Sequence, residues 1–303
     1  GLKTIEDATA IRSRVLAAYE HAERETDAEK RRAWLNFVIV GGGPTGVELA
    51  GALGEIANDT LRHDFHHINP AESQILLIEG AKHVLPLFPP DLSIKAEKQL
   101  VALGVRTRTN ATVTNIEKSG VTIRNSDGRE EHVTARTVLW AAGVRASHLG
   151  KVLAERAGAK LDKAGRVQVQ PDLSIAGHPE IRVIGDLATL ADRNGKPLPG
   201  VAPVAMQQGK YVADAIRRNA AGKPSTAPFR YFDKGNLATI GRNRAVGEIR
   251  KLHVSGFPAW FLWVFVHLMY LVEFENRLLV LTEWVYNYVT RNRGARLITT
   301  GKA

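Results

Sequence analysis

The stretch Phe37-Val-Ile-Val-Gly-Gly-Gly-Pro-Thr-Gly46-Val-Glu-Leu-Ala50 reads as a buried strand, a glycine turn and the opening turns of a helix. Phe37 to Val40 are apolar, as a central parallel strand requires, and Gly41, Gly43 and Gly46 stand at the G-x-G-x-x-G spacing. In that pattern the first glycine permits the tight turn, the second lets a pyrophosphate approach the backbone, and the third brings helix against sheet. Pro44, followed by Thr45, suits the first helical turn, where a missing N–H has no intrahelical partner to lose. Free N–H groups and the positive end of the helix dipole then face the phosphates. A dinucleotide site on an α/β sheet is the expectation.

Working outward, Gln74-Ile-Leu-Leu-Ile-Glu79 reads as a second strand closed by a carboxylate at the place of an adenosine ribose. Glu79 there accepts hydrogen bonds from both ribose hydroxyls and repels a 2′-phosphate, which favours NAD over NADP; an exposed acidic strand end is the plain alternative. Leu92 to Leu103 is a helix stopped by Gly104. Strands at 105–109, 112–117, 121–125 and 130–134, with turns at Ser119-Gly120 and Asp127-Gly128, form an antiparallel insertion. Thr137-Val-Leu-Trp-Ala-Ala-Gly-Val144 is a further buried strand whose small residues Ala142 and Gly143 let backbone approach a nucleotide. Upstream, Ile11, Val15, Leu16 and Tyr19 recur at helical period, and Arg24 to Arg32 reads as a mixed-charge linker or helix end. His63 and His67 are four apart near Asp64, but zinc needs three or four converging ligands, so a solvated loop and no metal are expected.

Toward the C-terminus, 167–170 and 181–184 read as short strands, the second leading into Gly185-Asp186. A carboxylate just beyond a buried strand either accepts a hydroxyl proton from a sugar-like chain or caps a turn. A helix over Val204 to Asn219 follows the loop that ends at Gly200, and its N-terminal dipole stabilises negative charge. From Phe257 to Val272 the chain is apolar apart from His267, and as a helix it spans about 24 Å, short of the roughly 30 Å hydrocarbon core. Leu278 to Val289 carries Trp284, Tyr286 and Tyr288, and Arg291, Arg293 and Arg296 follow. Aromatics beside arginines fit a helix pair lying in an anionic membrane surface over 257–296; a core helix or a homodimer face is the alternative.

The chain of 303 residues is 44% hydrophobic and 24% charged, enough for two domains with their own cores. It has no cysteine, which excludes a disulfide framework, a thiolate metal site and a redox dithiol. A net charge of +10 points to polyanionic partners, yet the basic residues are scattered and not set in an aromatic-lined groove, so nucleic acid is not expected.

Taken together, Gly1-Leu-Lys with Glu6-Asp7, Phe37 to Glu55, Leu139 to Val144, Val183-Ile-Gly-Asp-Leu-Ala188, Ala202 to Gly209, Leu237-Ala-Thr-Ile-Gly241 and Trp260 through Arg296 resemble the type II NADH dehydrogenases. These are single-subunit NADH:quinone oxidoreductases of the two-dinucleotide-binding flavoprotein superfamily. The resemblance implies that the Gly41 to Gly46 turn holds NADH, that Gly185, Asp186, Ala202 and Val204 border FAD, and that electrons pass to a membrane quinone. It also implies a role for Glu48 in positioning or proton handling, consistent with a carboxylate stabilised in a first helical turn. Pro203, Met206, Gln207 and Gln208 are the implied quinone-site residues, although the family commonly has Ala-Gln where this chain has Ala202-Pro203. The implied layout is an inter-domain helix and linker at 1–33, an NAD-binding domain at 34–145, the C-terminal part of a split FAD-binding domain at 146–235, and a membrane-association region at 236–303. The first glycine fingerprint of the family would precede Gly1, so a fragment is expected, peripheral on the cytoplasmic face of the inner membrane in its parent. Alternatives are a flavoprotein reductase with another acceptor and a non-catalytic NAD-binding tether.

Overall fold

The computed structural model describes residues 2, 4–143, 146–223, 227–271 and 273–290. It divides into two compact units, one made of the chain up to 142 together with 235 onward, the other of 143–234.

The first unit opens with α1 (Ile5–Arg24), started by a capping box in which Thr4 and Asp7 exchange hydrogen bonds of 3.1 Å. It buries Val15, Ala18, Tyr19 and Ala22, the stripe its periodicity predicts. The charged segment expected as a linker or helix end instead starts a helix of its own, α2 (Ala28–Leu35). Asp27 starts it by accepting the N–H groups of Glu29 and Lys30, and Ala33 and Leu35 give the helix a face to bury. Next come β1 (Asn36–Val40), α3 (Pro44–Glu55), β2 (Gln74–Ile78), α4 (Pro90–Val101) and β3 (Val105–Arg108). The series continues with β4 (Thr112–Glu117), β5 (Gly120–Arg124), β6 (Glu130–Thr134) and β7 (Thr137–Trp140).

The four-stranded sheet runs β3-β2-β1-β7, all neighbours parallel, so β1 is central and Phe37 to Val40 are buried. This corrects the reading of β3 as part of the antiparallel insertion. The crossover through α4 returns the chain parallel to β2, and only β4-β5-β6 form the antiparallel set. The histidine segment after α3 is loop, not helix. Glu23 fastens it by accepting the N–H groups of His66, His67 and Ile68 and the Nδ1 contact of His67. Desolvation pushes that carboxyl up, but these hydrogen bonds outweigh it and hold the pKa at about 2. No group of three or more metal-ligating side chains occurs among the described residues.

The second unit contains α5 (Leu149–Ala157), β8 (Val167–Gln168), β9 (Ser174–Ile175), β10 (His178–Arg182), β11 (Ala188–Thr189) and α6 (Ala202–Ala220). Its strands pair only two by two, β10 with β9 and β11 with β8. Its core gathers Val167, Leu173, Ile175, Val183 and Phe229.

The chain then returns to the first unit as β12 (Asn236–Gly241), β13 (Arg244–Ile249) and β14 (Leu252–Ser255), an antiparallel sheet in which Ala238, Ile240 and Val246 are buried. Helices α7 (Phe257–Tyr270) and α8 (Phe274–Thr290) close it. They meet through Trp263 and Trp284, stacked at 5.8 Å, and Trp260 and Tyr288 at 5.4 Å. Phe257, Phe261, Phe265, Leu278, Leu279 and Val285 remain exposed. No helix among the described residues is long and apolar enough to cross a membrane, and Arg291, Arg293 and Arg296 lie outside those residues.

Candidate functional site

The glycine turn joins the end of β1 to the start of α3. Gly41 has φ of +106°, and a Cβ there would lie 2.7 Å from the backbone of Ala142, so the turn and the end of β7 are in direct contact. At Gly46 a Cβ would stand 1.7 Å from the carbonyl oxygen of Gly41; helix and strand approach closely enough to leave no room for a side chain. Gly43 is the opposite case, since no heavy atom lies within 4 Å of the place its Cβ would take. The turn is therefore packed shut beneath and open above, as a backbone that receives a pyrophosphate must be. Gly43 is the N-cap, no side chain caps the helix, and no acidic residue occupies its first turn. The orphan N–H groups at this end are left for an anion.

Glu79 stands beside this turn. Its two oxygens accept the N–H groups of Gly42 at 2.6 Å and Ala81 at 2.7 Å, which fixes the carboxylate at the end of β2. An ionised carboxylate has about four acceptor positions, so both oxygens keep capacity for ribose hydroxyls. Trp140 is a site residue that no local sequence pattern marks. Its Nε1–H donates to the Ala142 carbonyl at 2.7 Å and so pins the loop against which Gly41 packs.

Glu48 sits one turn further along α3 than expected, beyond the reach of a first-turn dipole effect. Burial is the dominant influence and raises its pKa, while a backbone hydrogen bond from Thr239 acts the other way. The residue borders a cleft of about 640 Å³ whose walls come from segments distant in sequence. Glu48, Ala52 and Glu55 of α3 form one wall, Thr239 to Arg242 a second, and Trp260, Trp263, Trp284 and Tyr288 the roof. Arg242 fastens the roof to the body. Its N–H donates to Glu55, its guanidinium donates to the Tyr288 carbonyl and lies 4.2 Å over the Tyr288 ring, and the Tyr288 hydroxyl donates to Asn243. A cation at the C-terminal end of α8 also complements its dipole. These partners are far apart in sequence, and no local pattern marks them.

In the second unit a separate cleft of about 340 Å³ brings together Gly185, Asp186, Gly200, Val201, Val204 and Gln208. Gly185 has φ of +67° and donates its N–H to the Oε1 of Gln208 at 2.7 Å; Gln208 is 2% exposed. The start of α6 next to it has Val201 as N-cap, Ala202 and Pro203 in its first turn, and neither a capping side chain nor an acidic residue. Of the four residues assigned to a quinone, Gln208 is thus tied to Gly185, and the side-chain amide of Gln207 both donates to and accepts from the backbone of Phe232 at 2.9 Å. Met206 is exposed.

The chain matches the family model described as pyridine nucleotide-disulphide oxidoreductase over residues 1–209 and that of the NDH2 C-terminal domain over 234–292. It is 42% identical to the type II NADH:quinone oxidoreductase Ndh of Mycobacterium tuberculosis, covering 100% of this chain and 65% of that protein. Against NdhA of the same organism it is also 42% identical, covering 99% of this chain and 64% of the relative. The chain therefore spans somewhat less than two thirds of the length of these relatives. Its fold is similar to the structure of NDH2 from Plasmodium falciparum in complex with NADH, with a TM-score of 0.83 at 19% identity over 98% of this chain and 74% of that one. With an uncapped glycine turn on a parallel sheet and an oxidoreductase model over its first two thirds, the chain belongs to the pyridine nucleotide-disulphide oxidoreductase family, and its tail carries an NDH2 C-terminal domain.

Proposed function

We propose that the chain is the NADH-binding and acceptor-facing part of an NADH:quinone oxidoreductase, with NADH as hydride donor, FAD as cofactor and a membrane quinone as acceptor. The observation that carries this reading is that a single helix serves two sites. The uncapped start of α3 fits a pyrophosphate, and Glu48, one turn on, borders the apolar cleft beneath the aromatic helices. Two functions are thereby brought within a turn of one rigid element.

Glu79 orients the adenosine ribose and disfavours a 2′-phosphate, because its carboxylate is already held by Gly42 and Ala81. Gly185, Asp186 and Val204, which border the cleft, and Ala202 at the helix start are the residues that would hold FAD, since the cleft offers one carboxylate for ribityl hydroxyls and an uncapped helix start. When bound, FAD supplies a carrier able to take two electrons from a nicotinamide and give them to a quinone. The overall reaction of NADH, one proton and quinone to NAD⁺ and quinol needs a proton beyond the transferred hydride. Glu48, which keeps its proton to higher pH than an ordinary carboxyl, is suited to hold it. Because Gln207 and Gln208 are engaged by Phe232 and Gly185, the cleft beside Glu48 is the better candidate for the quinone than the residues 203 and 206–208.

The exposed aromatic and aliphatic face of α7 and α8 supports peripheral attachment to an anionic membrane surface, on the cytoplasmic face of the inner membrane. Each large apolar side chain buried there contributes about 1.5 to 3 kcal/mol, so burial outweighs charge in holding the protein down. The same face would serve a homodimer, which vesicle co-sedimentation and sedimentation equilibrium tell apart. For the activity, the full-length protein containing this chain is loaded with FAD and given NADH with either a short-chain quinone or ferricyanide. Quinone reduction is expected; NADH oxidation that proceeds with ferricyanide and never with quinone would sink the proposal.

A further inference from the structure

Helices α1 and α3 of the first unit enclose a pocket of about 270 Å³, distinct from the two clefts described above. Ile11, Val15 and Leu16 line it from α1, and Leu49, Leu53 and Ile56 from α3 and the wide turn that follows it. One cation borders this apolar space. The Nε of Arg12 is buried and has no hydrogen-bond partner, and no carboxylate is among the lining residues. A guanidinium placed against aliphatic walls with a buried, unmatched donor is unusual, because buried polar groups are ordinarily paired.

The surroundings set the chemistry of what would match it. The neighbouring 640 Å³ cleft shares Ala52 and Thr60 with this pocket but presents Glu55 and Asp59, so an anionic head is repelled from that side and attracted to Arg12. A guanidinium presents its Nε–H and a terminal N–H as a planar fork that fits a carboxylate with two parallel hydrogen bonds. One cation matches one negative charge, and an aliphatic pocket of about 270 Å³ suits one acyl chain, not the paired chains of a glycerophospholipid.

We propose that this pocket binds a single-chain fatty-acid carboxylate, its head on Arg12 and its chain between α1 and α3. The site is independent of the donor and acceptor assignments made above. Its lining comes from α1 where the other cleft has the aromatic roof, and Ala52 and Thr60 are the wall common to both.

The test is photo-crosslinking of the purified full-length protein containing this chain with a diazirine-bearing palmitic acid, followed by peptide mapping. Labelling is expected within residues 8–16 and 49–61, competed by palmitate but not by hexadecanol. Arg12→Leu should weaken palmitate binding about tenfold or more, the loss of a charge-assisted hydrogen bond, and Arg12→Lys by less because it keeps the charge without the fork. Ala8→Trp, a substitution at an exposed helix position on the pocket rim, should block labelling while leaving Arg12 in place. If Arg12→Leu does not fold, the alcohol competition and the Ala8→Trp variant still decide. Equal competition by hexadecanol, labelling confined to α7 and α8, or unchanged binding in the Arg12 and Ala8 variants would overturn the proposal.

Discussion

Helices α3 and α6 begin in the same way, with a proline in the first two positions, no capping side chain and no acid in the first turn, yet the two starts are held in place by different means. At α3 main chain packs on main chain: Gly41 lies against Ala142, and Gly46 lies against the Gly41 carbonyl, all on a central strand flanked by β2 and β7. At α6 a side chain does the holding, the buried Gln208 amide that accepts the Gly185 N–H, in a unit whose strands pair only two by two. A site built by backbone contact tolerates no added atom, whereas a site built by one side-chain tether fails when the tether is cut. α1 makes the contrast with both, since its start is closed by the Thr4–Asp7 capping box and is not available to an anion.

The largest effect should come from Gly46→Ala. Its Cβ would meet a backbone oxygen at 1.7 Å, and overpacking of this kind costs about 3 kcal/mol or more where the neighbour cannot move. Denaturant unfolding should show that loss and NADH titration should show no saturable binding; near-native values for both would mean the turn is not packed as described.

Glu48→Gln should leave NADH affinity within about twofold and slow quinone reduction about a hundredfold, the usual size of a general acid contribution. The sign of the pH dependence follows from the raised pKa: the wild-type carboxyl loses its proton as pH climbs through that value, so turnover falls on the alkaline side. A glutamine does not titrate, and the alkaline limb should flatten. A pH–rate profile of the full-length protein that keeps the limb in the variant would remove Glu48 from proton handling.

Gln208→Leu tests the other half of the comparison. It leaves the Gly185 N–H without an acceptor and should cost about 1 to 3 kcal/mol. Hydrogen exchange should then rise in the 183–190 segment and not in β1 or α3. Uniform exchange across both units would show that the two starts are not held independently.

The smallest effect is expected at Glu79→Gln, which keeps one acceptor oxygen but removes the charge. The preference for NADH over NADPH should fall about tenfold, read as the ratio of dissociation constants, and one of the Gly42 and Ala81 N–H groups loses its acceptor, which should lower stability by about 1 kcal/mol. An unaltered ratio would return Glu79 to a purely structural clamp on Gly42 and Ala81.

Much of the first site was legible because its parts are contiguous. An apolar run with glycines at fixed spacing can form few local structures, and the run Phe37 to Val40 is indeed the buried central strand. Glu79 could be placed because it ends the next apolar run. The assignment of β3 to the antiparallel set failed because Val105 to Arg108 alternates like an exposed strand, and whether its partner is β2 or β4 depends on where α4 delivers it. Gln207 and Gln208 looked alike as site candidates, but Phe232 and Gly185 engage them, and both partners lie more than twenty positions away.

What the sequence determined by itself is the glycine turn and the strands and helices next to it: periodicity, turn chemistry and glycine spacing act over a few residues, where backbone sterics leave little choice. Tertiary structure alone decided what surrounds Glu48. Its spacing from Pro44 puts it on the second turn of α3, but only the return of the chain as β12 brings Thr239 to its carboxylate, and only α7 and α8 roof the cleft that buries it. Burial in the assembled unit, and not position on the helix, raises its pKa.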